Sequence, residues 1–369
     1  MSDDASFMRL ALALGRRGLG RTWPNPSVGA VVVEPGTGRI LGTGATAPGG
    51  RPHGEPLALE AAGKAARGAT LYVTLEPCSH HGRTPPCTDA ILAAGIARVV
   101  SALEDPDPRV AGRGHALLRA GGVTVEAGLM REAAARDHVG HVTRVTRGRP
   151  ALHLKLARTR DGFCAAAGPE RLRITGPVAD GAVHLWRAHA DAILIGIGTA
   201  RADDPSLTVR LPGLADRSPL RIVLDTHLRL SPASVLARTA RDTPTLVLTT
   251  RSAPAHARRA LEALWVEVVT VPVDASGRID LPAALAHLGA RGLTRLCSEG
   301  GPRLAEALTQ ADLIDACTLV TGPMELGPGG GLPALGPTLA GALGGDGFHA
   351  AERLQLGPDT AVTYERNRT

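Results

Sequence analysis

Aromatic side chains are nearly missing from this chain: two tyrosines, three phenylalanines and three tryptophans in 369 residues. Proteins that grip single-stranded nucleic acid stack bases on successive aromatic faces, so the shortage argues against nucleic-acid editing and leaves alanine, valine and leucine to fill the cores. Lysine is as scarce. Of 41 basic residues only Lys64 and Lys155 are lysines, and the arginines are scattered without a basic block. The formal charge of +6 therefore reads as a composition bias rather than a polyanion-binding face, although phosphates on a small substrate or cofactor fit a local arginine excess equally well. No run reaches the ~18 apolar residues that a membrane-crossing helix requires. Met1 to Arg9 carries acids and no basic segment ahead of an apolar stretch, so no secretory signal is read there and a cytoplasmic protein is expected. The five cysteines are too few and too scattered for a disulfide framework; Cys164, Cys297 and Cys317 read as core thiols, while two others lie close together, which in a reducing compartment favours metal.

The chain is longer than one ordinary domain and its length suggests two. From Ser6 to Gly18 an alanine- and leucine-rich pattern predicts a helix; Val28–Val33 and Ile40–Ala45 predict strands around a glycine-rich turn. His53 then opens a helix through about Ala66. Ala69–Leu75, Ala97–Leu103 and Val123–Ala127 read as strands, with helices at Thr88–Ala94 and His115–Ala120 between them. This alternation predicts a layered α/β domain over residues 1–147. Gly140 to Pro150 shows no clear periodicity and reads as the junction to a second α/β domain, residues 148–369. Its strands are expected at Ala151–Ala157, Ala192–Ile197, Leu220–Asp225, Thr245–Thr249, Val266–Val271, Arg295–Cys297 and Ala316–Val320. Gly327 to Gly336 reads as a loop.

The chemistry concentrates in His53-Gly54-Glu55 and in Pro77-Cys78-Ser79-His80-His81-Gly82-Arg83-Thr84-Pro85-Pro86-Cys87. One imidazole and two thiolates form a three-ligand set for zinc that leaves a fourth position to water, the pattern of a catalytic rather than a closed structural site. A fourth protein ligand is not obvious. The histidine, two cysteines and non-ligating glutamate follow the zinc-deaminase signature, with eight residues between the cysteines where the usual form has two. Residues two apart do not share a helix face, so His53 and Glu55 both reach one ion only if their helix meets it end-on. Cys87 likewise sits where a helix should begin, and the positive helix end and the metal both favour thiolate. Zinc lowers the pKa of water towards about 7, and Glu55 then carries the proton to the leaving amine.

These residues, with Thr74-Leu75-Glu76 before them, Pro24-Asn25-Pro26-Ser27-Val28-Gly29 upstream and Val110-Ala111-Gly112-Arg113-Gly114 downstream, closely resemble the bifunctional deaminase/reductases of riboflavin biosynthesis, over about residues 6 to 325. The resemblance implies a cytidine-deaminase-like α/β/α sandwich followed by a dihydrofolate-reductase-like α/β domain. The first would hydrolytically deaminate a diaminohydroxyphosphoribosylaminopyrimidine, with His53, Cys78 and Cys87 on one zinc ion and Glu55 as proton carrier. Asn25, His80 and Arg83 match positions that hold base or phosphate. The family's usual His-Ala-Glu-Val stands here as His-Gly-Glu-Pro, and proline suits a first helical turn.

The second domain lacks a G-x-G-x-x-G fingerprint after its first strand. Its best anion site is the strand-to-helix passage Arg295-Leu296-Cys297-Ser298-Glu299-Gly300-Gly301-Pro302, where free N–H groups suit a pyrophosphate, although a plain turn has the same composition. By the resemblance, NADPH lies against Ala157, Arg173, Thr199, Asp203, Thr226, Gly301, Pro302, Arg303, Leu304, Ala305, Glu306 and Ala307. The ribose-phosphate substrate lies against Arg171, Arg187, Leu207, Arg210 and Glu299. Hydride would pass to the ribosyl C1 and open the sugar, a reaction governed by positioning. Arg171 and Arg173 stand where the family has serine and tryptophan, and Met324 where it has lysine. A deaminase whose second domain only binds substrate or mediates assembly is the alternative. Association into a homo-oligomer through the reductase domain is also implied.

Overall fold

The computed structural model describes residues 4–82, 85–168 and 172–367. It divides into two compact units, one of Met1–Pro150 with Gly289–Thr294, the other of Ala151–Leu288 with Arg295–Thr369.

The first unit is built on a five-stranded sheet of order β2-β1-β3-β4-β5. Its elements are α1 (Asp4–Arg16), β1 (Gly29–Val33), β2 (Ile40–Ala45), α2 (Gly54–Ala62), β3 (Thr70–Val73), α3 (Cys87–Ala94), β4 (Arg98–Ser101), α4 (Arg113–Ala120), β5 (Thr124–Ala127), α5 (Arg131–Asp137) and α6 (Val139–Arg147). β1 runs antiparallel to β2 and β3, and β3, β4 and β5 run parallel. The layers follow from two glycines. A Cβ on Gly29 would overlap the carbonyl oxygen of Ala11 in α1, whereas a Cβ on Gly44 would overlap that of Gly54 in α2. Gly29 pairs with Ala45, so Gly44, one residue on, faces the other side of the sheet. The two helices thus cover opposite faces, the expected sandwich. The core is Val31, Val32, Leu71, Val99, Val100 and their neighbours, with Phe7 and Tyr72 as its aromatic contact at 5.2 Å between ring centroids.

The second unit carries a nine-stranded sheet, β11-β10-β9-β8-β12-β6-β13-β16-β15. In chain order its elements are β6 (Ala151–Arg158), β7 (Phe163–Ala166), α7 (Pro177–Ala188), β8 (Ala192–Gly196), α8 (Ile197–Asp203), β9 (Leu220–Leu224), α9 (Val235–Arg238), β10 (Thr245–Thr249), α10 (Ala255–Glu262), β11 (Glu267–Thr270), α11 (Leu281–Ala290), β12 (Arg295–Ser298), α12 (Pro302–Gln310), β13 (Ala316–Thr321), β14 (Gly331–Pro333), α13 (Pro337–Gly344), β15 (Phe348–Leu356) and β16 (Asp359–Arg366). The strands from β11 to β13 are parallel, as their near-continuous apolar character requires. β16 and β15 add an antiparallel edge.

Three expectations are corrected. Gly140 to Pro150 is not irregular: α6 occupies most of it, because Val139, Val142 and Val145 recur three apart while the buried Gly140, His141 and Thr143 hide the pattern behind small and polar residues. The loop Gly327 to Gly336 contains β14, which pairs with β7 in a separate two-stranded ribbon. The β15–β16 hairpin was not anticipated, because β15 is largely exposed and carries few large apolar residues.

Tight apposition at Gly29 makes a direct prediction. Gly29→Ala forces α1 off the sheet, and overpacking of this kind costs ~1–3 kcal/mol; a thermal melt followed in the first unit should shift down, and an unchanged melt contradicts the packing. His153 in β6 makes a second. Its Nε2 lies 2.7 Å from Thr318 Oγ1, and burial lowers its pKa from 6.5 to about 4. The unfolded chain takes up a proton near pH 6.5 that the folded chain refuses until about 4. Stability from this group is therefore full above pH 6.5 and falls by ~1.4 kcal/mol per pH unit below it. Denaturant melts of the native chain and of His153→Gln, followed by tryptophan fluorescence with Trp186 at 6.4 Å between ring centroids from His153, should show a stability difference that changes with about this slope between pH 6.5 and 4; a difference independent of pH contradicts the buried neutral imidazole.

Candidate active sites

In the first unit the apolar strand β3 ends at Val73 and the chain turns through Leu75, Glu76 and Pro77 to Cys78. His53 is the N-cap of α2, in extended conformation (φ −70°, ψ 164°), and Cys87 is the first residue of α3 after Pro86. Both helices therefore point their positive ends at the same place. His53 Nδ1 lies 3.3 Å from Cys87 Sγ and 3.7 Å from Cys78 Sγ, and the three donor atoms fall within 4.8 Å of one another. Tetrahedral zinc with bonds of about 2.0–2.3 Å separates such donors by about 3.5–3.8 Å. The nitrogen–sulfur–sulfur set and its spacing fit that ion.

Glu55, one residue into α2 from His53's neighbour Gly54, is buried, and its Oε2 has no hydrogen-bond partner among the described residues. Burial raises its pKa, opposed by His53. The neighbouring Cys87 and His53 favour the thiolate of Cys78, and Cys78, together with burial and Glu55, pushes the Cys87 thiol up. The Cys87 N–H also donates to Cys78 Sγ at 3.3 Å. A Cβ on Gly54 would sit 2.5 Å from Val28 O, so glycine at this place lets α2 approach β1. Pro56 occupies the first turn of α2, where no helical N–H bond is lost.

Asn25 Nδ2 donates to Gly50 O at 2.8 Å and so braces the segment that delivers His53. His80 is half-buried, with its Nδ1 buried and unpartnered among the described residues. Arg83 lies outside the described residues. Glu76, just ahead of Pro77, also belongs to the framework of the site. Its carboxylate accepts the N–H groups of Asp105 (3.2 Å), Gly112 (3.0 Å) and His115 (3.2 Å), and so ties the start of α4 to the turn carrying Cys78. A glutamate between an apolar strand and a proline was the available signal.

The second unit has a cleft of about 1730 Å³, beyond the usual 300–1,000 Å³ of a single-ligand pocket. It opens at the carboxyl ends of β9, β8, β12 and β6, the crevice position of parallel α/β sheets. Ala157, Arg173, Thr199, Asp203, Thr226, Gly301, Pro302, Arg303, Leu304 and Ala307 line it, as do Arg187, Leu207, Arg210 and Glu299. Ala305 instead faces the core, and Glu306 caps α13 by accepting from Thr338 N at 2.9 Å and Leu339 N at 3.2 Å. Arg171 lies outside the described residues. Gly301 N donates to Thr199 Oγ1 at 3.2 Å, joining the α8 turn to the start of α12. With that helix N-terminus at the mouth of so large a cleft, the residues fit a dinucleotide with a second ligand beside it.

Arg187 holds Glu299 in a bidentate pair, Nε–Oε1 2.6 Å and Nη2–Oε2 2.8 Å, and donates from Nη1 to Thr208 O at 3.1 Å. Burial pushes the Glu299 pKa up, but the Arg187 bonds prevail and the net shift is downward. Arg210 Nη1 donates to Ser206 Oγ at 2.9 Å, and its N–H points to His184 Nδ1 at 3.4 Å. Arg173, largely exposed, pairs with Asp180 at 3.0 Å. Lys155 and His184 also line the cleft and were not anticipated. Lys155 sits two residues before Ala157 on β6 and shares its face, which strand alternation would have revealed.

Comparison with known proteins agrees with both halves. The family model for the cytidine and deoxycytidylate deaminase zinc-binding region matches residues 1–103, and that for the RibD C-terminal domain matches residues 150–347. The riboflavin biosynthesis protein RibD of Escherichia coli is 39% identical over 98% of each chain, and that of Bacillus amyloliquefaciens 37% identical over 97% of this chain and 95% of its own. Among solved structures, Acinetobacter baumannii RibD superimposes with a TM-score of 0.85 at 34% identity, covering 99% of both chains. The diaminohydroxyphosphoribosylaminopyrimidine deaminase/5-amino-6-(5-phosphoribosylamino)uracil reductase of Thermotoga maritima gives 0.83 at 32% identity with the same coverage. No helix among the described residues is long and apolar enough to cross a membrane. With a zinc-type deaminase domain and a reductase domain of the NADPH-using kind on one chain, this protein belongs to the RibD family of bifunctional riboflavin-biosynthesis deaminase/reductases.

Proposed function

We propose that residues 1–147 deaminate 2,5-diamino-6-ribosylamino-4(3H)-pyrimidinone 5′-phosphate and that residues 148–369 reduce the ribosyl group of the product to ribityl. The observation that carries the first step is the convergence of His53, Cys78 and Cys87 beside a buried carboxylate with an unused oxygen. His53, Cys78 and Cys87 would hold one zinc ion, which supplies the Lewis acidity that makes water nucleophilic near neutral pH. Glu55 would take one proton from the attacking water and give it to the ring nitrogen, then take the second from the hydroxyl of the tetrahedral carbon and give it to the amine, which leaves as ammonia. Asn25, His80 and Arg83 are assigned to base and phosphate.

In the second unit Ala157, Arg173, Thr199, Asp203, Thr226 and the start of α12 are assigned to NADPH, which supplies the hydride when bound. Arg187, Leu207, Arg210, Glu299 and Arg171 are assigned to the ribose phosphate. The Arg187–Glu299 pair places a fixed carboxylate and a fixed guanidinium in the cleft, which orient a polar sugar without proton chemistry of their own. The gathering of most of the NADPH-assigned positions, all but Ala305 and Glu306, in one cleft favours a working reductase over a domain retained for assembly. Thiolate ligands suit a reducing cytoplasm, and association of copies through the second unit is part of this reading, checked by sedimentation of the intact chain.

Glu55→Gln tests the first assignment: the variant should keep one zinc per chain, lose ammonia release by about 100-fold or more, and still reduce supplied deaminated intermediate. Retained ammonia release would remove Glu55 from the chemistry. Glu299→Gln tests the second. Loss of one partner from a buried charge pair costs about 2–5 kcal/mol, so kcat/KM for reduction should fall about 100-fold while NADPH titration still saturates. An unaltered reductase rate would contradict the role of the pair.

A further inference from the structure

Arg221 lies in β9 between two parallel neighbours, opposite Ile193 of β8 and Thr245 of β10, and is completely buried. Its hydrogen bonds all go to neutral oxygens. Nη1 donates to Ser206 O at 3.2 Å and to Thr239 Oγ1 at 2.8 Å; Nη2 donates to Leu236 O at 3.1 Å and to Thr243 O at 2.5 Å. A guanidinium withdrawn from water without a carboxylate bonded to it is costly, and an aliphatic side chain would satisfy a strand reading Leu-Arg-Ile-Val-Leu better. Burial pulls its pKa down to about 10, so it stays charged at neutral pH.

One of its acceptors stands apart from the rest. Leu236, Thr239 and Thr243 belong to α9 and the turn after it, but Ser206 belongs to the segment Asp203 to Arg210 that presents Leu207 and Arg210 to the cleft. That segment is held in a conformation its residues do not favour: Asp204 has φ +38° and Leu207 φ +53°, the left-handed region that side chains with a Cβ disfavour. Such residues persist where their surroundings over-determine them. Here the ties come from two sides. On the cleft side Arg187 takes Thr208 O. Behind it, Arg221 takes Ser206 O, and Asp204 Oδ1 accepts the N–H of Val235 at 2.8 Å, at the start of α9. Leu207, between these anchors, is buried.

We propose that Arg221 is a positioning residue for the reduction: through Ser206 O it fixes the strained turn that aims Leu207 and Arg210 at the ribose-phosphate substrate. The inference rests on the assignment of Leu207 and Arg210 to that substrate. It touches neither substrate nor cofactor, and its effect belongs to substrate binding rather than to hydride transfer or to the zinc site.

The test uses the full chain loaded with zinc, with deaminated intermediate and NADPH as probes. Arg221→Lys keeps the charge but not the fork that spans Ser206, α9 and the following turn. It should raise KM for the intermediate about 10-fold, with kcat, the NADPH dissociation constant and ammonia release within about twofold of the native values. Where the lysine variant does not fold, Asp204→Ala, which cuts the second rear tie, should give the same split. Arg210→Ala is measured beside them. If Arg210→Ala leaves KM unchanged, the substrate assignment itself fails. If Arg210→Ala raises KM while folded Arg221→Lys and Asp204→Ala lower only the melting temperature, Arg221 is a core staple and the positioning role is overturned.

Discussion

Three donor atoms from three separate stretches of chain must meet within the span of one ion, and the architecture of the first unit is arranged around that meeting. His53 and Cys87 each stand at the start of a helix, and Cys78 ends the turn that follows β3. Two helix N-termini facing one point would repel a bare cation, so thiolate charge has to offset them; the same field that disfavours the cation favours the thiolates that bind it. The Glu76 carboxylate, bonded to three backbone N–H groups, holds the turn in place from behind. Because α2 meets the site by its end, His53 and Glu55 reach it together, which no helix lying alongside could achieve.

The second unit solves a different problem with the same material. A parallel sheet directs its carboxyl ends to one edge, and there the cleft gathers residues at and just beyond the ends of β6, β8, β9 and β12, whose positions are fixed by strand register. Charge is handled by pairing rather than by metal: Arg187 and Glu299 lock one another, and Arg187 extends the lock to Thr208 O. Rigid placement of this kind is what a hydride transfer needs from its protein, since the cofactor carries the reactivity.

Much of this was readable from the residues. His53, Cys78 and Cys87 stood out because metal chemistry demands particular residue types in a particular order, and Pro85-Pro86 ahead of Cys87 marked the helix start. Buried strands such as Ile193–Ile195 and Leu246–Leu248 were legible because parallel sheets are apolar on both faces. What escaped had physical reasons. The face of α6 is made of Gly140, His141 and Thr143, which no hydropathy pattern reveals. β15 is a largely solvated edge whose order comes from pairing with β16, which itself pairs with β13. Glu306 falls within a glycine-led run that resembles a phosphate-binding turn, yet it turns away to cap α13, a choice set by the chain more than thirty residues later. Arg221, in an apolar strand, gave a signal that only its four oxygen acceptors explain.

On the proposed function, nitrogen from His53 and sulfur from Cys78 and Cys87 are the whole protein ligand set of a zinc ion with one side open to the substrate. X-ray absorption at the zinc edge of the active, full-length enzyme reads that set directly. The spectrum should show two sulfur ligands at about 2.3 Å and two light-atom ligands at about 2.0–2.1 Å, one of the light atoms exchanging when a pyrimidine analogue binds. An active enzyme without zinc, or a zinc spectrum of four protein ligands unchanged by the analogue, would contradict it.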